Sequence, residues 1–190
     1  MLDAFLTSSM VVAFAEIGDK TQLLAIILAT RFRKPLPVVC GIFFATIANH
    51  FLAALAGSAV AGLLEGFWFR CLVGASFVAM AIWTLVPDSM DGDTRQDERY
   101  GAFTTTLIAF FLVEMGDKTQ VATVALGARF HDVIAVTMGT TIGMMIANVP
   151  AVFVGHELLQ FVPLKVVRFI AAALFLIIGG LILAQATGLV

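Results

Sequence analysis

The fold is decided by Glu16–Gln22, EIGDKTQ, because this stretch places three charged side chains inside an otherwise apolar run. The same pattern returns at Glu114–Gln120 as EMGDKTQ, 98 residues further along the chain. We expect the chain to contain two copies of one unit, each with one charged motif. Four further pairs of positions keep this offset: Arg31 with Arg129, Phe32 with Phe130, Gly41 with Gly139, and Arg70 with Arg168.

The composition excludes an ordinary water-soluble protein. Of the 190 residues, 61% are hydrophobic and 13% are charged, and the mean hydropathy is +1.02. Soluble domains contain about 45–50% apolar and about 25% charged residues. A net charge of −2 offers no basic surface for nucleic acid, and two cysteines are too few for a disulfide framework. The chain is therefore predicted to be an integral membrane protein whose surroundings are lipid.

The apolar runs are long and continuous, which favours membrane-spanning helices. Such a helix needs about 20 predominantly apolar residues. We therefore predict an all-α integral membrane protein with six transmembrane helices. Reading between clusters of charge and proline places them at residues 4–29, 36–64, 67–87, 101–128, 133–159 and 165–187.

Each unit holds three predicted spans, with the motif in the first. Because three is odd, the second unit enters the membrane from the opposite side, as in the inverted-topology repeats of secondary transporters. We expect residues 1–87 and 101–190 to form the two three-helix repeats, joined by an acidic linker at residues 88–100. The acidic linker has two interpretations. It either captures cations at the cytoplasmic entrance to the site or is a solvated hinge between the two halves.

The basic residues of the predicted loops indicate the orientation. Cytoplasmic loops carry an excess of lysine and arginine. This rule places the central linker in the cytoplasm and both termini outside. The loops on the cytoplasmic side hold Arg31, Arg33, Lys34, Arg95, Arg99, Lys165 and Arg168, whereas those on the opposite side hold Arg70 and Arg129.

The charged side chains of the motifs are predicted to form the functional site. Asp19 and Asp117 lie near the middle of their predicted spans. A single charge at the centre of a bilayer costs roughly 2.5–3.5 kcal/mol, so these groups must face one another or water. The set consists of Glu16, Asp19, Lys20, Glu114, Asp117 and Lys118.

The spacing of the motif predicts how it is presented. On a regular helix Glu16, Asp19 and Lys20 lie on one face, at positions i, i+3 and i+4. Gly18 and Gly116 permit either close approach of helices or local unwinding. Either arrangement would let the two motifs converge on one cavity.

The charge count of this cavity points to ion exchange. Four carboxylates and two charge-balancing lysines, Lys20 and Lys118, leave a surplus of −2, which internal salt bridges do not cancel. One divalent cation or two protons would neutralise it. Since protons and metal compete for the same oxygens, alternating access would give metal–proton antiport. The predicted cation-binding residues are Glu16, Asp19, Glu114 and Asp117.

Neighbouring polar residues are candidate additional ligands or gates. Their amide and hydroxyl oxygens, together with the carboxylates, form a hard donor set that suits Mn²⁺, Ca²⁺ or Mg²⁺. If the helices stay regular, Thr21 points away from Glu16, and a threonine hydroxyl then bonds to a preceding carbonyl instead. These candidates are Gln22, Gln120, Asn49, Asn148, Thr21 and Thr119.

Two features of the second span in each unit have competing interpretations. Asn49 and Asn148 match after a slip of one residue, which supports either a ligand role or helix-joining hydrogen bonds. With this slip His50 aligns with apolar Val149, so we interpret His50 as an ordinary satisfied histidine and not as a metal ligand. Separately, the GxxxG patterns at Gly62–Gly66 and Gly139–Gly143 favour close packing, either within the chain or in a homodimer.

Two copies of Glu-x-Gly-Asp-Lys-Thr, each followed by glutamine, resemble the signature of the Golgi-type calcium/manganese transporter family and its bacterial manganese-exporter branch. The resemblance spans the whole chain, including the acidic central linker. It implies cation–proton exchange with Glu16, Asp19, Glu114 and Asp117 as the binding acids, and location in a bacterial inner membrane. The implied substrate is Mn²⁺, with no cofactor, and the implied partners are lipid, the cation and protons.

Three other functions compete with manganese export. A calcium–proton antiporter shares the same donor chemistry. A cation channel would conduct without countertransport of protons. An intramembrane hydrolase is disfavoured because the sequence contains no HExxH motif and no evident nucleophile–base pair.

Overall fold

The computed structural model describes residues 1–63, 66–86, 101–155 and 163–188, nearly all of them helical, with short connecting segments between the helices. The predicted acidic linker, residues 88–100, lies outside the described residues. The helices in chain order are α1 (Leu2–Glu16), α2 (Lys20–Phe32), α3 (Pro35–Leu63), α4 (Phe67–Thr84), α5 (Gly101–Glu114), α6 (Lys118–Phe130), α7 (Val133–Val154) and α8 (Leu164–Ala186).

Four of the described helices, α3, α4, α7 and α8, are long and apolar enough to cross a membrane, and α5 is a shorter apolar helix. Their bounds agree with four of the predicted spans to within a few residues. Large apolar side chains lie on the outer surface, for example Trp68 at 82% and Phe169 at 66% exposure. Such an apolar exterior is suited to lipid, and the protein is a multi-pass membrane protein.

The first and fourth predicted spans are not continuous helices, so this part of the prediction was wrong. α1 ends at Glu16 and α2 begins at Lys20, while α5 ends at Glu114 and α6 begins at Lys118. Gly18 adopts φ +80° between the first pair, a left-handed conformation that glycine reaches without steric cost. The face shared by three charged residues on a regular helix is therefore absent, and local unwinding is the alternative that the structure adopts.

The backbone dihedral angles at the second break nearly equal those at the first. Gly116 also has φ +80°, and Asp117 has φ −79° and ψ 167°, close to the −84° and 170° of Asp19. Each aspartate occupies the extended N-cap position of the following half-helix. The positive end of that helix dipole therefore lies beside a carboxylate.

The helices flanking the breaks pack against the other half of the chain. Gly139 and Gly143 of α7 lie against the backbone of Phe5 and Ser9 in α1, where a side chain would collide. Residue numbers rise together in these contacts, so α1 and α7 run in the same direction. The GxxxG pattern at Gly139 is therefore an internal contact, whereas a Cβ at Gly62 would meet open space.

The second half makes the equivalent contact with the first. Gly41 of α3 lies against Phe103 of α5, and the Asn49 side chain donates to the Phe111 carbonyl 3.2 Å away. These two helices also run in the same direction. Gly41 and Gly139 contact residues that are themselves 98 positions apart, so the repeat seen in the sequence is also a repeat of packing.

The remaining two long helices, α4 and α8, pack against each other. Gly74 lies against Leu183, and the rings of Phe77 and Phe175 are 6.2 Å apart between centroids. Because residue numbers fall in α8 as they rise in α4, this pair is antiparallel. Both phenylalanines are fully buried and belong to the larger apolar core.

Candidate functional site

Two ion pairs join the breaks, and each pair connects the two halves of the chain. Lys20 Nζ lies 2.9 Å from Asp117 Oδ1, and Lys118 Nζ lies 3.2 Å from Asp19 Oδ1. Both aspartates are 3% exposed. The lysine of each motif therefore neutralises the aspartate of the other motif, so the two motifs form a single site.

The two glutamates that end α1 and α5 are fully buried and face threonine hydroxyls. Thr21 donates a short hydrogen bond to Glu16 Oε2, and Thr119 Oγ1 donates to Glu114 Oε2 over 3.3 Å. Thr21 was expected to point away from Glu16 only in a regular helix, and the break removes that condition because it brings the first residues of α2 back to the end of α1. The other oxygens, Glu16 Oε1 and Glu114 Oε1, have no hydrogen-bond partner among the described residues.

Three of the predicted acids form a cluster that could hold a metal ion. Glu16, Asp19 and Asp117 each offer a carboxylate oxygen, and these oxygens lie within 4.8 Å of one another. Glu114 lies beside this cluster, since its backbone carbonyl accepts a hydrogen bond from the backbone nitrogen of Asp117 over 3.1 Å. Carboxylate and hydroxyl oxygens are the ligands that hard divalent cations such as Mn²⁺, Ca²⁺ and Mg²⁺ prefer.

The position of the surplus charge follows from these contacts. Each lysine is within ion-pair distance of an aspartate, so the two carboxylates in excess of the lysines, which account for the −2 counted in the sequence, are Glu16 and Glu114. Both side chains are 0% exposed. A buried pair of carboxylates is costly unless it binds protons or a cation, which is the property that an exchange site needs.

The two glutamines of the motifs hold the breaks in shape. Gln22 Oε1 accepts a hydrogen bond from the backbone nitrogen of Gly18 over 2.8 Å, and Gln120 Oε1 accepts one from Gly116 over 2.6 Å. Each glutamine thus satisfies a backbone donor that leaves its helix at the break. Both amide oxygens therefore already accept a backbone hydrogen bond, and the glutamines stabilise the two turns in this structure.

The other end of each glutamine shows how the two repeats align. Gln22 Nε2 donates to the carbonyl of Ala147 over 2.8 Å, and Gln120 Nε2 donates to Asn49 Oδ1 over 2.5 Å. Asn49 therefore corresponds to Ala147 at the constant offset of 98. The one-residue slip that matched Asn49 with Asn148 was wrong, because α3 and α7 are both continuous helices from Gly41 and Gly139 onward.

With the slip removed, His50 corresponds to Asn148, and both are fully buried. Asn148 Nδ2 donates to the Met144 carbonyl over 3.1 Å, while its Oδ1 has no hydrogen-bond partner among the described residues. His50 Nε2 lies 3.5 Å from Glu114 Oε2, and neither ring nitrogen has a hydrogen-bond partner in the described part of the chain. The interpretation of His50 as a satisfied histidine was therefore wrong. The constant offset was the signal in the sequence that could have identified it.

A separate cavity of about 770 Å³ lies where α3 and α6 end and α4 begins. Its lining includes Arg70, Arg129 and His131. Guanidinium groups repel cations, so this cavity is not the candidate cation site.

The chain is similar both to a protein-family model and to individual known proteins. The family model described as "Divalent cation/proton antiporter GDT1" matches residues 4–92 and 102–189, one segment in each half. A protein of Vibrio cholerae serotype O1 named "Putative manganese exporter" is 48% identical over 169 residues, covering 88% of this chain and 84% of that protein.

More distant relatives match almost end to end. "GDT1-like protein 5" of Arabidopsis thaliana is 26% identical over 217 residues, covering 94% of each chain. "GDT1-like protein sll0615" of Synechocystis is 27% identical over 202 residues, covering 92% of this chain and 94% of that protein. No solved structure is detectably similar to the chain.

Proposed function

Because the chain belongs to the GDT1 family of divalent cation/proton antiporters, we propose that it exports Mn²⁺ from the cytoplasm in exchange for protons. The family membership that the two motifs predicted is confirmed, and a transporter is favoured over an intramembrane hydrolase. Manganese is supported by the name of the Vibrio cholerae relative, and the hard oxygen donors of the site are compatible with Mn²⁺ as they are with Ca²⁺ and Mg²⁺.

The observation that carries the proposal is the convergence of both motifs on one buried site with two glutamates in excess. The transported ion binds carboxylate oxygens of Glu16, Asp19 and Asp117, with Glu114 completing the set. Lys20 and Lys118 hold the two aspartates in place and cancel their charge. When the metal leaves, protons replace it on the glutamates.

The arrangement of helices supports six spans in two inverted repeats. In this proposal α1 with α2, and α5 with α6, form two broken spans whose halves meet at the site. Six alternating spans require the first and fifth to be parallel, the second and fourth to be parallel, and the third and sixth to be antiparallel. The contacts of α1 with α7, α3 with α5, and α4 with α8 fit these directions.

The membrane orientation follows from the positive charges of the loops. The linker between the repeats lies in the cytoplasm, and both termini lie on the other side of a bacterial inner membrane. Residues 1–87 and 101–190 form the repeats. Broken helices that meet at mid-membrane are the common site of substrate binding in secondary transporters.

The test is transport by the purified protein in proteoliposomes. Vesicles that are acidic inside should accumulate Mn²⁺ as protons leave, and the rate should fall when the pH gradient is abolished. Asp19→Asn should abolish this uptake, whereas Asp3→Asn, a change at an exposed acid in the first turn of α1, should leave it unchanged. Uptake independent of the pH gradient would indicate a channel instead.

A metal panel in the same vesicles addresses the alternative of calcium–proton exchange. Mn²⁺ should be transported in preference to Ca²⁺ when both are supplied at equal concentration. A preference for Ca²⁺ would replace manganese by calcium as the substrate and leave the exchange mechanism intact.

A further inference from the structure

His50 occupies a position that packing alone does not explain. Its ring is 0% exposed in the middle of α3, and neither nitrogen has a hydrogen-bond partner among the described residues. Buried polar groups are nearly always hydrogen-bonded, and leaving one unsatisfied costs about 1–3 kcal/mol. An imidazole in this state, beside a cluster of carboxylates, is available to a ligand.

The geometry of His50 and Glu114 suits two ligands of one ion. Divalent cations bind their ligand atoms at about 2.0–2.6 Å, so two ligands at a right angle lie about 2.8–3.7 Å apart. The separation between His50 Nε2 and Glu114 Oε2 is 3.5 Å. The ring and the carboxylate also approach from different helices, α3 and α5, as ligands of a shared ion commonly do.

The corresponding position of the other repeat carries a different donor. Asn148 stands where His50 stands in the first repeat, and its buried Oδ1 also lacks a hydrogen-bond partner in the described chain. An amide oxygen is a hard donor, whereas an imidazole nitrogen favours transition metals. The two repeats therefore present one oxygen and one nitrogen at equivalent places.

We propose that His50 is a nitrogen ligand of the transported ion and that this ligand favours Mn²⁺ over Ca²⁺ and Mg²⁺. The proposal rests on the proposed function, since it assigns selectivity to the same site. All-oxygen sites are well suited to Ca²⁺ and Mg²⁺, so a single imidazole shifts the preference towards a transition metal. Asn148 provides an oxygen at the matching position and does not contribute to this discrimination.

Electron paramagnetic resonance of bound Mn²⁺ tests the assignment directly. The purified protein in detergent is loaded with Mn²⁺ alone, and electron spin echo modulation reports nitrogen atoms coordinated to the metal. We expect a ¹⁴N coupling in the native protein, which becomes a ¹⁵N coupling when the protein is grown with ¹⁵N-labelled histidine. This measurement needs no substitution, so it does not depend on the folding of a variant.

Substitution then identifies which histidine is bound. His50→Asn, which makes the two repeats alike, should abolish the coupling and reduce the preference for Mn²⁺ over Ca²⁺ in competition binding. Loss of outer-shell partners already costs at least about tenfold in metal affinity, so we expect the affinity of this variant for Mn²⁺ to fall by about tenfold or more. His131→Asn is the matched control, because His131 lies at the end of α6 and its left-handed φ of 53° is tolerated by asparagine.

The outcomes separate the two proposals. Bound Mn²⁺ without a histidine coupling in the native protein, or a coupling that survives in a folded His50→Asn variant, overturns the role of His50 but leaves manganese transport in place. Failure of the native protein to bind Mn²⁺ at all overturns the proposed function itself. If His50→Asn does not elute as a single folded species in size-exclusion chromatography, the same measurements are made on His50→Gln.

Discussion

Lys118 Nζ lies 3.2 Å from Asp19 Oδ1, so a lysine at the start of α6 neutralises an aspartate at the start of α2. The side chain of this lysine is only 6% exposed and that of its partner 3%. The contact joins the two halves of the chain at the point where each half has broken its helix. The proposed binding site and the contact between the two halves therefore share the same residues.

Removing one partner of this pair should destabilise the protein more than removing both charges. Asp19→Asn leaves Lys118 buried without its carboxylate, and breaking a buried pair costs about 3–5 kcal/mol. The double variant Asp19→Asn, Lys118→Met should recover part of this loss, although transport stays abolished. The midpoint of thermal unfolding in detergent measures the effect, and Asp3→Asn serves as the control. A double variant less stable than the single one would contradict a direct pairing.

The surplus charge on the two glutamates predicts the number of protons released when Mn²⁺ binds. If the site holds either one divalent cation or two protons, as proposed, the native protein should release about two protons per bound ion. Glu16→Gln and Glu114→Gln each remove one charge without changing the shape, so each variant should release about one. An indicator dye in weakly buffered solution gives the count. Unchanged release in both variants would show that the protons come from elsewhere.

The competition between protons and metal fixes the sign of the pH dependence. Raising the pH removes protons from the site, so the apparent affinity for Mn²⁺ should rise with pH, by up to about a hundredfold per pH unit where two protons are displaced. Equilibrium binding at several pH values measures this slope. In Glu114→Gln the slope should fall to about tenfold per unit. An affinity that declines as the pH rises would be incompatible with the mechanism.

The two glycines of the breaks form a matched pair for substitution. Gly116→Ala places a Cβ in open space, so it should cost only the strain of the left-handed backbone, about 1–2 kcal/mol. Gly18→Ala adds a contact of 2.5 Å with Leu164 and should cost about 1 kcal/mol more. Thermal unfolding reports both, with Gly180→Ala, at a helical glycine facing open space, as a control that should be neutral or slightly stabilising. Equal decreases in thermal stability for Gly18→Ala and Gly116→Ala would argue against the different packing around the two glycines.

Much of the architecture could be predicted from the residues because the motif is repeated. The pairing of EIGDKTQ with EMGDKTQ predicted two equivalent units. The four acidic residues that these motifs place within predicted spans indicated a shared buried site. Which aspartate each lysine contacts could not be predicted in this way. Spacing along one helix says nothing about whether Lys20 pairs with its own motif or with the other, and the structure shows that it reaches Asp117.

Two local errors have a common physical cause. Helical periodicity assumes continuous backbone angles, and one residue with φ +80°, such as Gly18, ends that continuity without changing the hydropathy of the run. Likewise, apolar helices align almost equally well after a shift of one residue. The hydrogen bonds from Gln22 to Ala147 and from Gln120 to Asn49 agree with the constant offset of 98 that Gly41 and Gly139 keep, and this offset aligns His50 with Asn148.

The central claim is that one divalent cation exchanges for two protons on Glu16 and Glu114, so that transport carries no net charge. Mn²⁺ uptake into proteoliposomes, with the membrane potential clamped by potassium and valinomycin, tests it most directly. The account predicts that the rate follows an imposed pH gradient and stays constant as the potential is varied. A rate that follows the potential and ignores the pH gradient would contradict it.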